Sequence, residues 1–218
     1  MSDSNWDEQS RTAWERYGTE GYPVQFDEDT LSGKLQKKEL LWILSQIPQK
    51  RFKILDAGCG PGRYSLELTK RKNEVVGLDF AQPMLKQIRN KTKECAVLQG
   101  DIQYLPFTDE RFDIVIMVNV LQHLKTPQMR FLAVKEAFRV SKEYVFVDVK
   151  NKLNPILSRR YKNVKDEFIR TAYSHSEIKQ AIKKCNGRIV GSKGIGFPIK
   201  GIAPFIVIKA SKSPRGDS

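Results

Sequence analysis

The side chains best suited to chemistry lie in one short stretch, ILDAGCGPGRY at residues 54–64. Asp56 opens this stretch after an apolar pattern that is typical of a buried parallel strand. Gly58, Gly60 and Gly62 follow at two-residue spacing, which lets the backbone turn sharply and approach a ligand where a Cβ would collide. A helical pattern then resumes, so the N–H groups of a helix N-terminus face the same crevice. The stretch predicts a binding loop for a nucleotide-like cofactor.

The spacing of the glycines argues against a dinucleotide. The dinucleotide fingerprint G-x-G-x-x-G has two residues before its last glycine, whereas this loop has one between Gly60 and Gly62. Asp56 would also repel a pyrophosphate placed beside it. A ligand that carries an ammonium group suits this carboxylate better.

Three further strand patterns end in polar residues that would face the same crevice. Asp79 ends the pattern EVVGLD, where its carboxylate can accept hydrogen bonds from both hydroxyls of a ribose. Asp101 follows the next pattern and offers a carboxylate to the exocyclic amine of adenine, with the apolar Ile102 beside the ring. Asn119 ends a fourth pattern, FDIVIMVN, which predicts a fully buried strand. Together these residues predict a nucleoside site at the carboxyl ends of the strands.

At this point the chain resembles the class I S-adenosylmethionine-dependent methyltransferases, in the small-molecule group that includes the quinone-biosynthesis enzymes. The resemblance covers about residues 35–210 and rests on four segments: DAGCGPG at 56–62, GLDFAQPML at 77–85, GDIQYLPF at 100–107 and FDIVIMVNVLQHL at 112–124. It implies an α/β fold with a Rossmann-like, doubly wound sheet of seven strands. That sheet would be mostly parallel with an antiparallel last strand, and helices would flank it.

The same resemblance implies that S-adenosyl-L-methionine is the co-substrate. It assigns nine residues to cofactor binding: Asp56, Gly58 and Gly60 around the methionyl part, Asp79 at the ribose, Phe80 and Met84 near the adenosine, Asp101 and Ile102 at the adenine, and Asn119 beside the methionyl part. The alternative for the glycines and Asp79 is that they only form a turn and cap a helix.

A catalytic residue is harder to assign. The protein must hold the acceptor atom about 3 Å from the methyl group, and it needs a general base only for a protonated nucleophile. His123 is the first candidate, since it lies four residues after Asn119, and His175 and Tyr17 are weaker ones. The alternative for His123 is a structural histidine packed under the acceptor pocket.

The chain is organised as a single methyltransferase domain over residues 1–210. Residues 1–34 are rich in aromatic side chains, and the resemblance implies that they cap the cofactor crevice, with Trp14 or Tyr17 in a lid that excludes water. The alternative is a helix that its aromatic side chains dock on the core. Residues 150–175 have no strong strand pattern and form an acceptor-side insertion, and residues 211–218 form a disordered tail. Periodicity predicts helices over 5–17, 35–47, 128–140 and 176–185, and late strands over 144–149, 188–197 and 205–210.

Charge is unevenly distributed along the chain. The net charge is +13, and residues 150–218 alone hold sixteen Lys or Arg against four Asp or Glu. A basic stretch attracts anionic partners, so phosphorylated metabolites, carboxylates, anionic lipid and RNA all remain open. The alternative is an ordinary solvated surface.

Other classes of protein are disfavoured by what the sequence lacks. The three cysteines are scattered without C-x-x-C spacing, so neither disulfides nor a metal site is expected. No apolar run is long enough to span a membrane, and the N-terminus lacks the pattern of a signal peptide, which predicts a cytoplasmic protein. The segment after Asn119 lacks an Asn-Pro-Pro-Tyr motif, and no DNA partner is expected.

Three functions therefore remain open. The first is methyl transfer from S-adenosylmethionine to a small-molecule or lipid-like acceptor, which could be anionic. The second keeps the enzyme class but makes RNA, such as tRNA, the acceptor, recruited by the basic C-terminal third. The third is a non-catalytic protein that binds S-adenosylmethionine and serves as an interaction partner. The oligomeric state is open.

Overall fold

The computed structural model describes residues 8–22, 29–162, 171–197 and 199–213. Its strands are β1 (Lys53–Ala57), β2 (Glu74–Asp79), β3 (Ala96–Gln99), β4 (Phe112–Met117), β5 (Ser141–Lys150), β6 (Gly187–Ile195) and β7 (Phe205–Lys212). Its helices are α1 (Glu8–Thr19), α2 (Leu31–Ser45), α3 (Arg63–Lys70), α4 (Gln82–Lys91), α5 (Pro127–Val140), α6 (Pro155–Lys162) and α7 (His175–Lys184). Short 3₁₀ turns cover Leu121–His123 and Lys200–Ile202.

The seven strands form one sheet in the order β3-β2-β1-β4-β5-β7-β6. Strands β1 to β5 pair in parallel, and β7 is antiparallel to both of its neighbours. This confirms the predicted fold class, including the antiparallel last strand. Because β1 pairs with β2 on one side and β4 on the other, the strand order reverses there, and open α/β sheets bind ligands outside the carboxyl ends of strands at such a point.

Two hydrophobic layers cover the faces of the sheet. On one face α5 and α7 contribute side chains such as Ala133, Val134 and Ile178, all without exposed surface. On the other face α2, α3 and α4 contribute Ile43, Leu68 and Leu85, which are equally buried. Each fully buried large aliphatic side chain stabilises the fold by roughly 1.5–3 kcal/mol, so these layers fix the strand ends that carry the polar residues.

Side-chain caps define the starts of α2 and α7. The Thr30 hydroxyl accepts a hydrogen bond from the backbone N–H of Gly33 at 3.0 Å, so α2 begins at Leu31, four residues before the predicted start. Periodicity missed this turn because it contains Gly33 and few apolar residues. The Ser174 hydroxyl accepts a hydrogen bond from the N–H of Glu177 at 3.1 Å, so α7 begins at His175, one residue before the predicted start.

The C-terminal elements differ from the prediction in two places. Strand β7 runs to Lys212, so the prediction of a disordered tail was wrong for Ser211 and Lys212, and residues 214–218 lie outside the described part. Ser211 pairs with Tyr144 of β5, which extends the strand beyond its apolar stretch. The segment predicted as an insertion contains α6, which periodicity missed because this helix is only eight residues long.

Helix α1 covers part of the predicted cap and packs on α4. The side chain of Gln87 donates from Nε2 to the backbone carbonyl of Gly18 at 3.0 Å. A Cβ on Gly18 would lie 2.8 Å from the Cβ of Pro83, so glycine permits this close approach. Among the described residues, no helix combines the length and the apolar character needed to cross a bilayer.

Candidate functional site

A cavity opens where the carboxyl ends of β1, β2 and β4 meet. Its wall includes eight of the nine residues predicted to bind the cofactor: Asp56, Gly58, Gly60, Asp79, Phe80, Met84, Ile102 and Asn119. Asp101 is the exception, since its neighbours Gly100 and Ile102 line the wall and its own side chain does not. The carboxylate of Asp101 instead accepts a hydrogen bond from the backbone N–H of Gln103 at 2.8 Å.

The glycine loop after β1 depends on left-handed backbone conformations. Gly58, Gly60 and Gly62 have φ angles of 77°, 51° and 93°, a region that glycine adopts without steric cost. A Cβ on Gly58 would lie 2.5 Å from Cγ2 of Val120, so this glycine also allows a close approach of two loops. A Cβ on Gly60 would meet no protein atom within 4 Å. The loop is therefore packed at Gly58 and open at Gly60.

Asp79 holds this loop against the end of β2. Its Oδ2 accepts a hydrogen bond from the N–H of Gly60 at 2.8 Å, and its Oδ1 accepts one from the N–H of Ala81 at 2.9 Å. Burial raises the pKa of Asp79, and these backbone hydrogen bonds oppose the rise. A carboxylate has about four lone-pair positions, and the backbone N–H groups of Gly60, Ala81 and Phe80 do not use all of them, so Asp79 keeps acceptor capacity for a ligand in the cavity.

Asp56 is the second buried carboxylate of the wall. Its Oδ2 accepts hydrogen bonds from the N–H and the hydroxyl of Ser65, at 3.0 and 2.6 Å, which ties β1 to the first turn of α3. Burial raises the pKa of Asp56 to about 6, the Ser65 hydrogen bonds oppose the rise, and the charge of Asp79 adds to it. Within the described chain neither carboxylate pairs with a cationic side chain. The wall therefore favours a ligand that brings a positive charge.

Asn119 lies just after β4 and has a left-handed conformation with a φ of 61°. Three buried ionisable residues form hydrogen bonds with it. Its N–H donates to Oδ1 of Asp148 at 2.9 Å, and its Nδ2 donates to Oε2 of Glu39 at 3.0 Å. The ammonium of Lys150 donates to Oδ1 of Asn119 at 2.6 Å. The backbone N–H, Nδ2 and Oδ1 of Asn119 thus each have a hydrogen-bond partner within the protein.

The charged residues of this cluster come from two elements. Lys150 and Asp148 lie on β5 and form an ion pair at 2.6 Å, with side chains 2% and 0% exposed. Glu39 lies on α2, and burial raises its pKa to about 7, opposed by the charge of Lys150 and assisted by that of Asp148. Among the described residues, Oε1 of Glu39 and the hydroxyl of Tyr64 are buried without a hydrogen-bond partner.

Sequence reasoning missed Glu39, Asp148 and Lys150. A signal was present in β5, where Asp148 and Lys150 alternate with valines in a stretch that is otherwise apolar. Buried charges are rare unless they are paired, so two opposite charges at alternate positions of a central strand indicate a functional or structural cluster. Glu39 interrupts an apolar helix face in the same way.

An aromatic group covers the opposite side of the cavity. Trp14 and Tyr22 line the wall, with ring centroids 5.9 Å apart, and both come from α1 or the turn after it. The ring of His123 also lines the wall and lies 4.9 Å from the Trp14 ring in an edge-on arrangement. Tyr17 contacts Trp14 at 6.3 Å but does not line the wall.

The other predicted catalytic candidate lies elsewhere. His175 is the first residue of α7 and is not part of the cavity wall. The structure therefore brings His123 to the cavity and leaves His175 away from it. Across the described residues, no three His, Cys, Asp or Glu side chains converge in a way that could hold a metal ion.

Residues 54–144 match a family model described as "Methyltransferase domain". Over these residues the chain is similar to that family. The matched residues span the strands β1 to β4 that build the cavity, together with the start of β5.

Curated relatives match over less than half of the chain. "Probable tRNA methyltransferase 9B" of Homo sapiens is 39% identical over 87 residues, which cover 40% of this chain and 18% of that protein. "Malonyl-[acyl-carrier protein] O-methyltransferase" of Salmonella typhimurium is 38% identical over 81 residues, which cover 37% of this chain and 32% of that protein. The matches thus span about a fifth to two fifths of the length of the curated relatives.

Solved structures extend the likeness to nearly the whole chain. Magnesium protoporphyrin IX methyltransferase from Synechocystis PCC 6803, with bound S-adenosylhomocysteine, gives a TM-score of 0.71 at 15% identity and covers 94% of this chain and 96% of its own. An S-adenosylmethionine-dependent methyltransferase from Thermotoga maritima gives a TM-score of 0.69 at 21% identity, with 93% of this chain and 99% of its own covered. At these identities the likeness establishes the fold.

The raised pKa of Glu39 predicts a pH-dependent stability. The folded protein retains a proton on Glu39 up to about pH 7, whereas the unfolded chain releases it near 4.5, so this residue lowers stability as pH rises between these values. A Glu39→Gln variant keeps an acceptor oxygen for Asn119 and does not titrate. We expect it to exceed the wild type in stability by on the order of 3 kcal/mol near pH 8, with no difference at the acid end.

Urea denaturation across this pH range would measure the effect. Glu15→Gln, at an exposed position of α1, is the matched control and should follow the wild-type pH profile. Parallel profiles for the wild type and Glu39→Gln would show that Glu39 does not titrate in this window.

Proposed function

We propose that the protein transfers a methyl group from S-adenosylmethionine to a small-molecule or lipid-like acceptor. The observation that carries this proposal is the pair of buried carboxylates, Asp56 and Asp79, on either side of a glycine loop that is open at Gly60. S-adenosylmethionine is positively charged at its sulfonium and amino groups and has a ribose with two hydroxyls. A cavity wall with two uncompensated carboxylates complements such a ligand.

The proposed roles of the wall residues follow from their positions. Asp56 binds the amino group of the methionyl part, and Gly58 and Gly60 let the backbone approach it. Asp79 binds the ribose hydroxyls with the acceptor positions that Gly60 and Ala81 leave available. Asn119 lies beside the methionyl part. Four residues surround the adenosine: Phe80, Met84, Asp101 and Ile102.

Asp101 is assigned to the adenine end of the site by its position after β3, directly before Ile102. In the structure its Oδ1 accepts a hydrogen bond from the N–H of Gln103, and its side chain does not line the cavity wall. Ile102 is buried on the wall and provides the apolar surface for the ring.

When bound, S-adenosylmethionine supplies an electrophilic methyl group that an acceptor atom attacks in line with the leaving sulfur. The protein positions the two reactants and excludes water, which can supply several kcal/mol of the rate enhancement. Trp14 and Tyr22 form the proposed lid over the cavity. His123 is the candidate general base for an acceptor that must lose a proton, because its ring reaches the same wall.

A second candidate acceptor is RNA. The tRNA methyltransferase relatives favour it, and so does a basic cleft between the turns that follow α2 and α3. Five cations line this cleft with no carboxylate among its wall residues: Lys50, Arg51, Lys70, Arg71 and Lys72. The cleft lies at the amino ends of β1 and β2, however, so the length of a strand separates it from the cavity. For this reason we place the small acceptor first.

Substitution at Gly60 tests the donor site with little effect on the fold. A Gly60→Ala side chain would project into open space, at a cost of about 1–2 kcal/mol for the left-handed backbone. We expect at least a tenfold loss of S-adenosylhomocysteine affinity by calorimetry, because the added methyl group occupies ligand space. Gly21→Ala, which also has a positive φ and no protein atom within 4 Å of its Cβ, is the control and should retain affinity.

Substitution at Asp79 tests the ribose contact. Asp79→Ala removes two charge-assisted hydrogen bonds to the ribose, each worth about 1.5–3 kcal/mol, so we expect affinity for S-adenosylmethionine to fall about a hundredfold or more. Asp113→Ala is the control, because Asp113 also accepts a backbone hydrogen bond, from Lys53 at 2.7 Å, at the far end of the sheet. Unchanged tight binding by Asp79→Ala would contradict the proposed donor site.

Label transfer from tritiated S-adenosylmethionine separates the two acceptor classes. We expect no label in bulk tRNA and label in an extract of small molecules and lipids. Label in tRNA that disappears in an Arg51→Glu/Lys72→Glu variant would favour the RNA acceptor instead. Tight cofactor binding without any label transfer would support a non-catalytic binding protein.

A further inference from the structure

Two loops beside the cavity expose an unusual amount of apolar surface. Leu153 and Ile156 lie at the start of α6, and three more residues lie in the connection from β6 to β7. We call this group the apolar rim, with these exposed fractions: Leu153 63%, Ile156 79%, Phe197 46%, Ile199 60% and Ile202 39%. Large apolar side chains that cluster on an exposed surface are candidates for an interaction site.

The two loops form one rigid surface. The side chain of Asn154 donates to the carbonyl of Ile202 at 2.8 Å, and the side chain of Asn151 donates to the carbonyls of Gly201 and Ala203 at 2.9 and 3.0 Å. Asn151 and Asn154 are themselves buried. These hydrogen bonds hold the loop after β5 against the 3₁₀ turn before β7, so the two loops lie side by side.

The rim lies at the same end of the sheet as the cavity. Lys150 is the last residue of β5 and donates to Asn119 on the cavity wall, and the loop that carries Leu153 begins at the next residue. A surface that docks here would lie beside the site and not at the far end of the domain.

Basic side chains adjoin the rim residues. Lys152 and Arg159 are exposed beside Leu153 and Ile156 in the sequence. From Val149 onward, the described residues contain one carboxylate side chain, Glu177, and it pairs with Arg130 at 2.6 Å. The segments that carry the rim are therefore basic in their described part. An anionic membrane has negatively charged headgroups above an apolar acyl region. Exposed apolar side chains flanked by basic ones complement both parts.

We propose that the apolar rim docks the protein on the surface of an anionic phospholipid bilayer. The apolar side chains insert at the boundary between headgroups and acyl chains, while the basic side chains contact the phosphates. Docking itself does not require methyl transfer. That a docked enzyme takes its acceptor from the lipid phase rests on the function proposed above.

Vesicle sedimentation tests the docking. We expect the full chain to bind vesicles of phosphatidylcholine mixed with phosphatidylglycerol, and to bind vesicles of pure phosphatidylcholine at least tenfold less. About 1 M salt shortens the Debye length to about 3 Å and should release most of the protein. Equal binding to both vesicle types, or no binding to either, would overturn the proposal.

Paired variants locate the contact. Ile156→Ser/Ile199→Ser should lower binding to the mixed vesicles about tenfold, and Lys152→Glu/Arg159→Glu should lower it by a similar factor. The control is Leu41→Ser/Leu98→Ser, which removes two exposed leucines from α2 and β3 and should leave binding within twofold of the wild type. If the control lowers binding as much as the rim variant, the rim is not the contact.

Two further measurements distinguish the alternatives. Light scattering would reveal a dimer that the rim variant dissociates, in which case a second copy of the chain covers the rim and the membrane proposal fails.

Calorimetry with S-adenosylhomocysteine separates the membrane proposal from the proposed methyltransferase function. Vesicle binding without cofactor binding would retain the docking and reject the methyltransferase, and the reverse result would reject the docking alone.

Discussion

The site depends on the hydrogen bonds that the Asp79 carboxylate accepts from the N–H groups of Gly60 and Ala81. Through them the end of β2 fixes the loop that leaves β1, and the loop keeps its left-handed glycines turned toward the cavity. The cost is a buried carboxylate whose pKa is raised by desolvation. A cationic ligand that fills the cavity would offset this cost, because it would compensate both Asp79 and the neighbouring Asp56.

A second set of buried charges organises the other wall. Lys150 neutralises Asp148 and also donates to Asn119, so three elements, α2, β4 and β5, meet at one amide side chain. Removing one partner of a buried ion pair commonly costs about 3–5 kcal/mol, so Asp148 and Lys150 stay together. Because both also form hydrogen bonds with Asn119, they hold this residue in its left-handed conformation after β4. The two walls are thus held by different means, one by backbone hydrogen bonds and one by paired charges.

The resemblance carried by four sequence segments predicted the fold, and local patterns predicted several residues of the cavity wall. The loop at 56–62 and the carboxylate of Asp79 each stand directly after a strand, and the ends of parallel strands meet at one edge of a sheet. The Glu39 contact could not be predicted, because it joins residues 80 positions apart through packing of α2. The bounds of α6 and the position of the apolar rim also depend on tertiary contacts, such as those of Asn151 and Asn154. Such contacts produce no periodic pattern in the sequence.

A crystal structure of the protein with S-adenosylhomocysteine would show whether the cavity at β1, β2 and β4 binds the cofactor through Asp56 and Asp79. We expect the ligand amino group within hydrogen-bond distance of Asp56, the ribose hydroxyls on Asp79 and the adenine beside Ile102. A ligand bound elsewhere, or bound here with its ribose away from Asp79, would show that the proposed donor site is wrong.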